Sequence, residues 1–158
     1  MEDDTMPRTT FLPVVRELAR CYQAFERLSG RHIRQLGLTA GQFDVIATLG
    51  GTDGMSCREL GDATLITKGT LTGVLDRLAE RGLIERCACS GDRRSITVRL
   101  TPAGQALFDN SFDAHLAHLK PAFDQLAPDE LAETGALLAR LREALESEAP
   151  DCCEIQNN

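Results

Sequence analysis

The fold is decided by residues 56–101, SCRELGDATLITKGTLTGVLDRLAERGLIERCACSGDRRSITVRLT. The four residues from Ser56 to Glu59 have the form of a capping box, in which the serine hydroxyl caps a backbone N–H and the glutamate reaches back. This box predicts a short helix that ends near Thr64. A second helix is predicted from Thr67, whose hydroxyl can cap it, to Gly82. Its apolar residues recur at helical spacing, at Leu71, Val74, Leu75 and Leu78.

The second helix leaves a polar face opposite its apolar stripe. That face combines small hydroxyl side chains with cations, and such groups can reach base edges and phosphates in the major groove of DNA. We expect DNA contacts from Thr67, Lys68, Thr70, Thr72 and Arg77.

Two short strands are predicted after this helix, at residues 83–88 and 95–100, because apolar and polar residues alternate in the second of them. The polar turn that joins the strands makes them a β-wing. Arg93 and Arg94 at its tip are expected to neutralise phosphate, with Arg94 entering a minor groove. Asp92 is expected to hold the wing by pairing with a neighbouring arginine.

In order and spacing, residues 41–104 resemble the winged-helix domain of the MarR family of bacterial transcription regulators. The resemblance is carried by the residues before the second helix of that domain (LTAGQ, 38–42), by the TLT of the recognition helix (70–72), by LAERGLIER (78–86), and by DRRS (92–95) followed by VRLT (98–101).

The resemblance implies a mainly α fold with a small β-wing. A winged helix-turn-helix DNA-binding lobe would occupy residues 38–101. Residues 1–37 and 102–148 would supply the helices of a dimerisation lobe, and residues 149–158 are expected to be a disordered tail.

The flanking helices can be placed from prolines and caps. Pro13 suits the first turn of a helix that ends at Gly37, and Thr101 followed by proline marks the start of the helix after the wing. We expect that helix to kink or break at Pro121. A last helix is expected from Pro128.

Charge is distributed unevenly along the chain. The net charge is −7, yet residues 56–101 carry +2 and residues 102–158 carry −8. The cations therefore concentrate where DNA contact is predicted, although so weak a basic patch predicts modest, salt-sensitive affinity. No apolar run is long enough for a membrane span, and the acidic start lacks the basic region of a signal peptide. We expect a cytoplasmic protein without a membrane partner.

The first helix and the last two carry more apolar surface than a small winged-helix lobe can cover. Two copies pairing through this surface would give a C2 homodimer whose recognition helices read a pseudo-palindromic double-stranded DNA operator. A repressor released by a small-molecule or ion effector is the leading hypothesis. Completion of a monomer core is the alternative use of these helices.

Six cysteines are a high number for a chain of 158 residues. Cys87 and Cys89 are two residues apart on a predicted strand, so their sulfurs share one face, and Cys152 and Cys153 in the tail could fold onto them. Thiolates favour zinc, copper(I) or a metalloid. A soft-ion site at these four residues is one hypothesis, and packing or plain solvent exposure is the alternative. The sequence marks no other cofactor.

The remaining cysteines raise the question of redox sensing. Cys21 is expected to be a small buried residue on the apolar face of the first helix, and Cys57 a partly exposed thiol. The family resemblance implies a reactive cysteine early in the first helix of hydroperoxide sensors, where this chain has Val15. The sequence therefore does not favour the peroxide mechanism.

Two further effector sites are conceivable. His115 and His118 lie three residues apart on one helix face and could ligate zinc, although a solvated histidine pair explains the spacing as well. The resemblance also implies phenolic ligands near the first helix, for which Arg16, Arg20 and His32 are candidates.

Other classes of function are less well supported. The sequence contains no nucleophile elbow, P-loop, dinucleotide-binding loop or HExxH motif, so it does not favour an enzyme. A winged-helix module that binds protein would suit the acidic charge, but the paired wing arginines favour DNA.

Overall fold

The computed structural model describes residues 10–88 and 96–148. Over these ranges the chain forms six α-helices and three β-strands, in a mainly helical fold with a small antiparallel sheet, as the sequence predicts. In chain order they are α1 (Leu12–Gln35), α2 (Ala40–Leu49), β1 (Met55–Ser56), α3 (Cys57–Ala63), α4 (Lys68–Glu80), β2 (Ile84–Ala88), β3 (Ile96–Leu100), α5 (Pro102–Phe123) and α6 (Pro128–Glu148).

The chain divides into two units, residues 1–119 and 120–158. The first unit contains the hydrophobic core, to which α2, α3, α4 and the sheet contribute. Burial of an aliphatic side chain contributes about 1.5–3 kcal/mol, and the least exposed large ones are Val45, Ile46, Leu49, Leu60, Leu75, Leu78 and Val98. In the second unit, no residue of α6 is buried within the single chain.

The sheet has the strand order β1-β3-β2, with both pairs antiparallel. Val98 in the central strand pairs with Met55 on one side and with Arg86 on the other, and it is fully buried. The predicted alternation therefore holds at Val98, whereas Ile96 at the outer end of β3 is exposed. The sequence did not reveal β1, because two residues are too few to show a period.

Side-chain caps fix the helix starts on either side of the sheet. The Thr39 hydroxyl accepts from the backbone N–H of Gln42 at 3.2 Å, and the Gln42 side chain accepts from the Thr39 N–H at 3.0 Å. At the start of α5, the Thr101 hydroxyl accepts from the Gly104 N–H at 3.1 Å and donates to the Gly82 carbonyl at 2.6 Å. The predicted start of α5 at Thr101 is confirmed.

Of the kink or break expected at Pro121, the break is wrong, because α5 continues through this proline and ends at Phe123. The kink stays a prediction. A proline inside a helix removes one backbone hydrogen bond. Here the loss falls in the last turn of the helix, where few hydrogen bonds remain to be made.

Candidate nucleic-acid interface

The first helix of the helix-turn-helix, α3, begins at the predicted capping box. The Ser56 hydroxyl accepts from the Glu59 N–H at 3.2 Å, and the Glu59 carboxylate accepts from the Ser56 N–H at 2.8 Å. The hydrogen bond from the Ser56 backbone N–H, followed by one from the Ser56 side chain, lowers the pKa of Glu59. The box is confirmed, and it joins β1 to α3 without an intervening loop.

The turn between α3 and α4 is held from α2. The Asp44 carboxylate accepts a hydrogen bond from the backbone N–H of Leu65 at 2.7 Å, while the buried Thr64 hydroxyl donates to the Leu60 carbonyl at 2.7 Å. Burial raises the pKa of Asp44, and the bond from Leu65 opposes this rise. The start of α4 is thereby fixed against the core.

One face of α4 is buried and the other is exposed, as predicted. Leu71, Val74, Leu75 and Leu78 are buried. Exposed residues of the segment Thr67–Glu80 include Thr67, Gly69, Thr70, Thr72, Gly73, Asp76 and Arg77; for Lys68 the structure describes the backbone alone.

The predicted cap at the start of α4 is wrong. Thr67 occupies the N-cap position, but its hydroxyl makes no capping bond. Instead it shares a hydrogen bond with the Thr70 hydroxyl at 2.9 Å. Two of the predicted DNA-contacting hydroxyl groups are therefore adjacent at the exposed start of the helix.

Acidic side chains pair with two arginines on the strands of the wing. Asp76 on α4 contacts Arg86 on β2 at 2.7 Å, and Glu85 on β2 contacts Arg99 on β3 at 2.6 Å. The hydrogen bond from Arg99 to Glu85, followed by the charge of Cys87, raises the pKa of Arg99. Sequence reasoning missed both pairs, although the opposite charges of residues 85 and 99 would have been informative once the strand register was known.

The tip of the wing lies outside the described residues, and with it the predicted roles of Asp92, Arg93 and Arg94. The strands that carry the tip are described. In their register Ala88 pairs with Ile96, so the last residue of β2 lies opposite the first residue of β3.

The cysteines can be placed only in part. Cys21 is exposed, so the expectation of a buried residue is wrong for the single chain; the apolar face of α1 on which it was placed is itself uncovered. Cys57 is exposed and Cys87 is half-buried. Cys89, Cys152 and Cys153 lie outside the described residues, so the four-cysteine site stays a prediction.

His115 and His118 do share one face of α5, and they meet His32 of α1 there. The ring centroid of His32 lies 5.2 Å from that of His115 and 5.1 Å from that of His118. Within residues 10–88 and 96–148, however, no three His, Cys, Asp or Glu side chains are arranged to hold a metal ion. We therefore do not assign these histidines as metal ligands.

The three candidates for a phenolic ligand do not converge. Arg16 and Arg20 are one turn apart, but His32 lies twelve residues beyond Arg20 on the same helix, or about 18 Å at 1.5 Å per residue. His32 belongs to the histidine cluster, whereas Arg20 lies 3.8 Å from Glu17.

Within residues 10–88 and 96–148, no helix combines the length and the hydrophobicity that a membrane span needs.

A short helix, an anchored turn, a helix with an exposed polar face and a two-stranded wing together define a winged helix-turn-helix protein. A family model described as MarR family matches residues 36–95. The chain is 30% identical over 135 residues to the HTH-type transcriptional regulator PecS of Dickeya dadantii, a match that covers 84% of this chain and 81% of PecS.

Two solved structures agree with this class. The regulator BpsR of Bordetella bronchiseptica, whose DNA binding is regulated by 6-hydroxynicotinic acid, is 31% identical with a TM-score of 0.73, and the match covers 82% of this chain and 98% of BpsR. A variant of MarR from Escherichia coli, solved with operator DNA, is 28% identical with a TM-score of 0.71, over 84% and 96% of the two chains. The chain belongs to the MarR family and is a DNA-binding transcriptional regulator.

Proposed function

We propose that this chain is a homodimeric repressor that binds a pseudo-palindromic operator and is released from it by an effector. The observation that carries the proposal is the exposed face of α4, which bears hydroxyls, two glycines and an arginine opposite a buried stripe. The N-terminal residues of a recognition helix contact base edges in the major groove. Thr67, Lys68, Thr70, Thr72 and Arg77 would make these contacts, and Arg94 would enter the minor groove.

Two glycines on α4 support a close approach to DNA. Gly69 and Gly73 are four residues apart on the exposed side, and a Cβ added at either would meet no atom of the protein within 4 Å. Glycine inside a helix costs about 0.5–1 kcal/mol relative to alanine, and no contact within residues 10–88 and 96–148 requires a glycine at either position. A DNA backbone or base edge lying against this face would be a reason for both glycines.

The proposed dimer rests on the exposed apolar side chains of α1 and of its N-cap residue. They recur at spacings of three and four along one helix face, and an apolar surface present in identical form on two copies favours a two-fold dimer. The side chains are Phe11, Leu12, Val14, Val15, Leu18, Tyr22 and Phe25.

The dimer would set the spacing of the operator. Two recognition helices related by a two-fold axis read half-sites about 34–36 Å apart, one turn of DNA. The effector would favour a state in which the two recognition helices have a different spacing. To move the population from 1:99 to 99:1, it must bind that state about 5.5 kcal/mol more tightly than the DNA-binding state.

Two chemical classes of effector are proposed. A thiophilic ion held by Cys87 and Cys89, with Cys152 and Cys153, is the first, and a phenolic ligand is the second. Release of reduced protein from DNA by arsenite or copper(I), lost in Cys87→Ser/Cys89→Ser, would support the first class. Release by salicylate alone would support the second.

The central test measures the affinity of the protein for operator fragments obtained by selection from random DNA. Binding is followed by fluorescence anisotropy at fixed salt. Arg77→Ala should weaken binding by about 1–3 kcal/mol, whereas Arg140→Ala, at an exposed position of α6, should leave binding unchanged. Arg94→Ala should abolish tight binding while the dimer persists. Equal affinity of all three variants and the unmodified protein would overturn the proposal and favour a winged-helix module that binds protein.

A further inference from the structure

All three histidines of the chain meet where α1, α2 and α5 pack together. His32 comes from α1, and His115 and His118 come from α5, more than 80 residues away in sequence. His115 is 5% exposed, and its ring centroid lies 4.6 Å from that of Phe43 on α2. The cluster therefore connects the two long helices α1 and α5 to α2, the helix that precedes the helix-turn-helix.

The hydrogen bonds of the cluster depend on protonation. Nδ1 of His32 lies 3.1 Å from Nδ1 of His115, and a hydrogen bond between two ring nitrogens needs one ring to donate and the other to accept. Nε2 of His115 lies 3.3 Å from the Ser29 hydroxyl, and Nε2 of His118 donates to the Leu28 carbonyl at 3.0 Å. If both His32 and His115 are charged, two N–H groups face each other and their bond is lost.

The described surroundings of His115 favour its neutral form. Burial is the main cause that lowers the pKa of His115, followed by the charges of His32 and His118; among the described residues, no carboxylate is a cause of this shift. The side that α2 presents is the uncharged Phe43 ring, since the neighbouring Asp44 carboxylate is bonded to Leu65. On α1 the neighbouring Arg31 is exposed, as is Asp113 on α5.

We propose that the histidine cluster is a proton-sensitive joint, in which protonation of both His32 and His115 breaks their hydrogen bond, loosens α1 and α5 against Phe43, and weakens operator binding. Two charged rings would then face each other with their Nδ1 atoms about 3.1 Å apart. Because His115 is buried and His32 is half-buried, their repulsion would be screened less than in water. This inference rests on the proposed function, because its output is affinity for a two-half-site operator.

The sign of the pH effect follows from the lowered pKa of His115. Its ordinary value is 6.5, so between that value and the lower value in the folded protein the unfolded chain binds more protons. The stability contributed by the neutral ring is fully present above pH 6.5 and is lost as the pH falls through the folded pKa. Simple electrostatics predicts the opposite for DNA binding, since added positive charge strengthens it. The two explanations can therefore be separated by sign.

The first measurement is a titration of the histidine rings by NMR, in chelator, on the whole protein. Three histidines give three ring signals, which single His→Gln variants assign. We expect His115 to titrate below its ordinary value of 6.5, and the Phe43 ring signals to move as His115 takes up its proton. Titration of His115 at or above its ordinary value, or without any change at Phe43, would overturn the proposal.

The second measurement compares operator affinity at about pH 7.5 and about pH 5.5, a range that spans histidine titration. The affinity of the unmodified protein should fall at least ~10-fold at the lower pH, and that of His32→Gln should fall less than ~3-fold. A difference of this size between the two proteins is expected when the uptake of one proton is coupled to DNA binding. His32→Asn, which removes the same ring of the pair, provides a second variant if His32→Gln does not fold. The matched control is Ala106→His, which adds an exposed histidine elsewhere on α5 and should respond as the unmodified protein does.

The outcomes separate this inference from the proposed function. Tight operator binding that does not weaken at low pH, or that weakens equally in His32→Gln, would overturn the joint and leave the repressor intact. Absence of operator binding at about pH 7.5 would overturn both. A response to added zinc in place of pH would also overturn the joint, because the cluster would then bind metal.

Discussion

Asp76 on α4 and Arg86 on β2 form an ion pair of 2.7 Å, which joins the exposed face of the recognition helix to the first strand of the wing. Both side chains are more than one-third exposed to solvent. Exposed ion pairs contribute about 0–1 kcal/mol, so this pair contributes little to stability. Its larger effect is on the electrostatics of the DNA-binding face, where Asp76 neutralises a cation that could otherwise meet phosphate.

We expect Asp76→Ala to strengthen binding to non-specific DNA. With its partner removed, Arg86 becomes available to a phosphate, and the slope of log affinity against log salt should steepen by about one unit. The measurement is anisotropy with a random-sequence duplex over a salt series, with thermal unfolding as a check on the fold. Glu80→Ala, which removes an exposed acid at the end of the same helix, is the matched control. An equal increase in both variants would show that net charge, not the pair, controls affinity.

Gly73→Ala separates stability from DNA binding on α4. The added Cβ meets no protein atom within 4 Å, and alanine in place of a helical glycine stabilises a helix by about 0.5–1 kcal/mol. We therefore expect a higher free energy of unfolding together with weaker operator binding, because the methyl group would lie between the helix and the DNA.

The matched control for this substitution is Gly135→Ala on α6, where the added Cβ also meets nothing within 4 Å. It should raise stability by a similar amount and leave DNA affinity unchanged. If Gly73→Ala binds operator as tightly as the unmodified protein does, then this part of α4 does not approach DNA closely.

The parts of the fold that follow from local chemistry were predictable from the sequence. The capping box of Ser56 and Glu59 needs only four residues, and the buried stripe of α4 needs only helical spacing. Relationships between distant segments were not predictable in this way. The pairing of β1 with β3 involves two residues per strand, and the contact of His32 with His115 depends on how two helices pack.

In the candidate site, too, features set by local sequence were predictable, whereas features that depend on distant segments were not. The exposed side of α4 was predictable because the buried stripe opposite it is regular, whereas the DNA contacts proposed for it stay predictions. The predicted Thr67 cap is wrong, because its hydroxyl bonds to the Thr70 hydroxyl instead. Cys21 was expected to be buried from its apolar neighbours, yet these neighbours are themselves uncovered in a single chain. Periodicity identifies an apolar face, but it does not say what covers that face.

Asp44→Asn should change the pH dependence of stability. The variant keeps an oxygen that can accept from the Leu65 N–H but removes the carboxylate whose pKa burial raises above its ordinary value of 3.8. A raised carboxyl pKa contributes stability below the ordinary value, and this contribution is lost as the pH rises through the folded pKa.

The stability of Asp44→Asn relative to the unmodified protein should therefore increase between about pH 4 and about pH 7, the range above the ordinary aspartate pKa. Urea denaturation at several pH values measures this difference. Asp53→Asn, at an exposed position for comparison, should show no such trend. A difference that does not vary with pH would mean that the carboxylate is not penalised by burial.

Leu18→Glu tests the apolar face of α1 as the dimer surface. Leu18 lies near the middle of the exposed stripe that runs from Phe11 to Phe25, so a carboxylate there would have to be desolvated on both sides of a two-fold interface. We expect a monomer by analytical ultracentrifugation and at least ~10-fold weaker binding to the full operator, with binding to a single half-site little changed. Gln35→Glu, at an exposed polar position of the same helix, adds the same charge and should remain dimeric. A dimer that survives Leu18→Glu would move the interface away from this face, and the two recognition helices would then need another element to set their spacing.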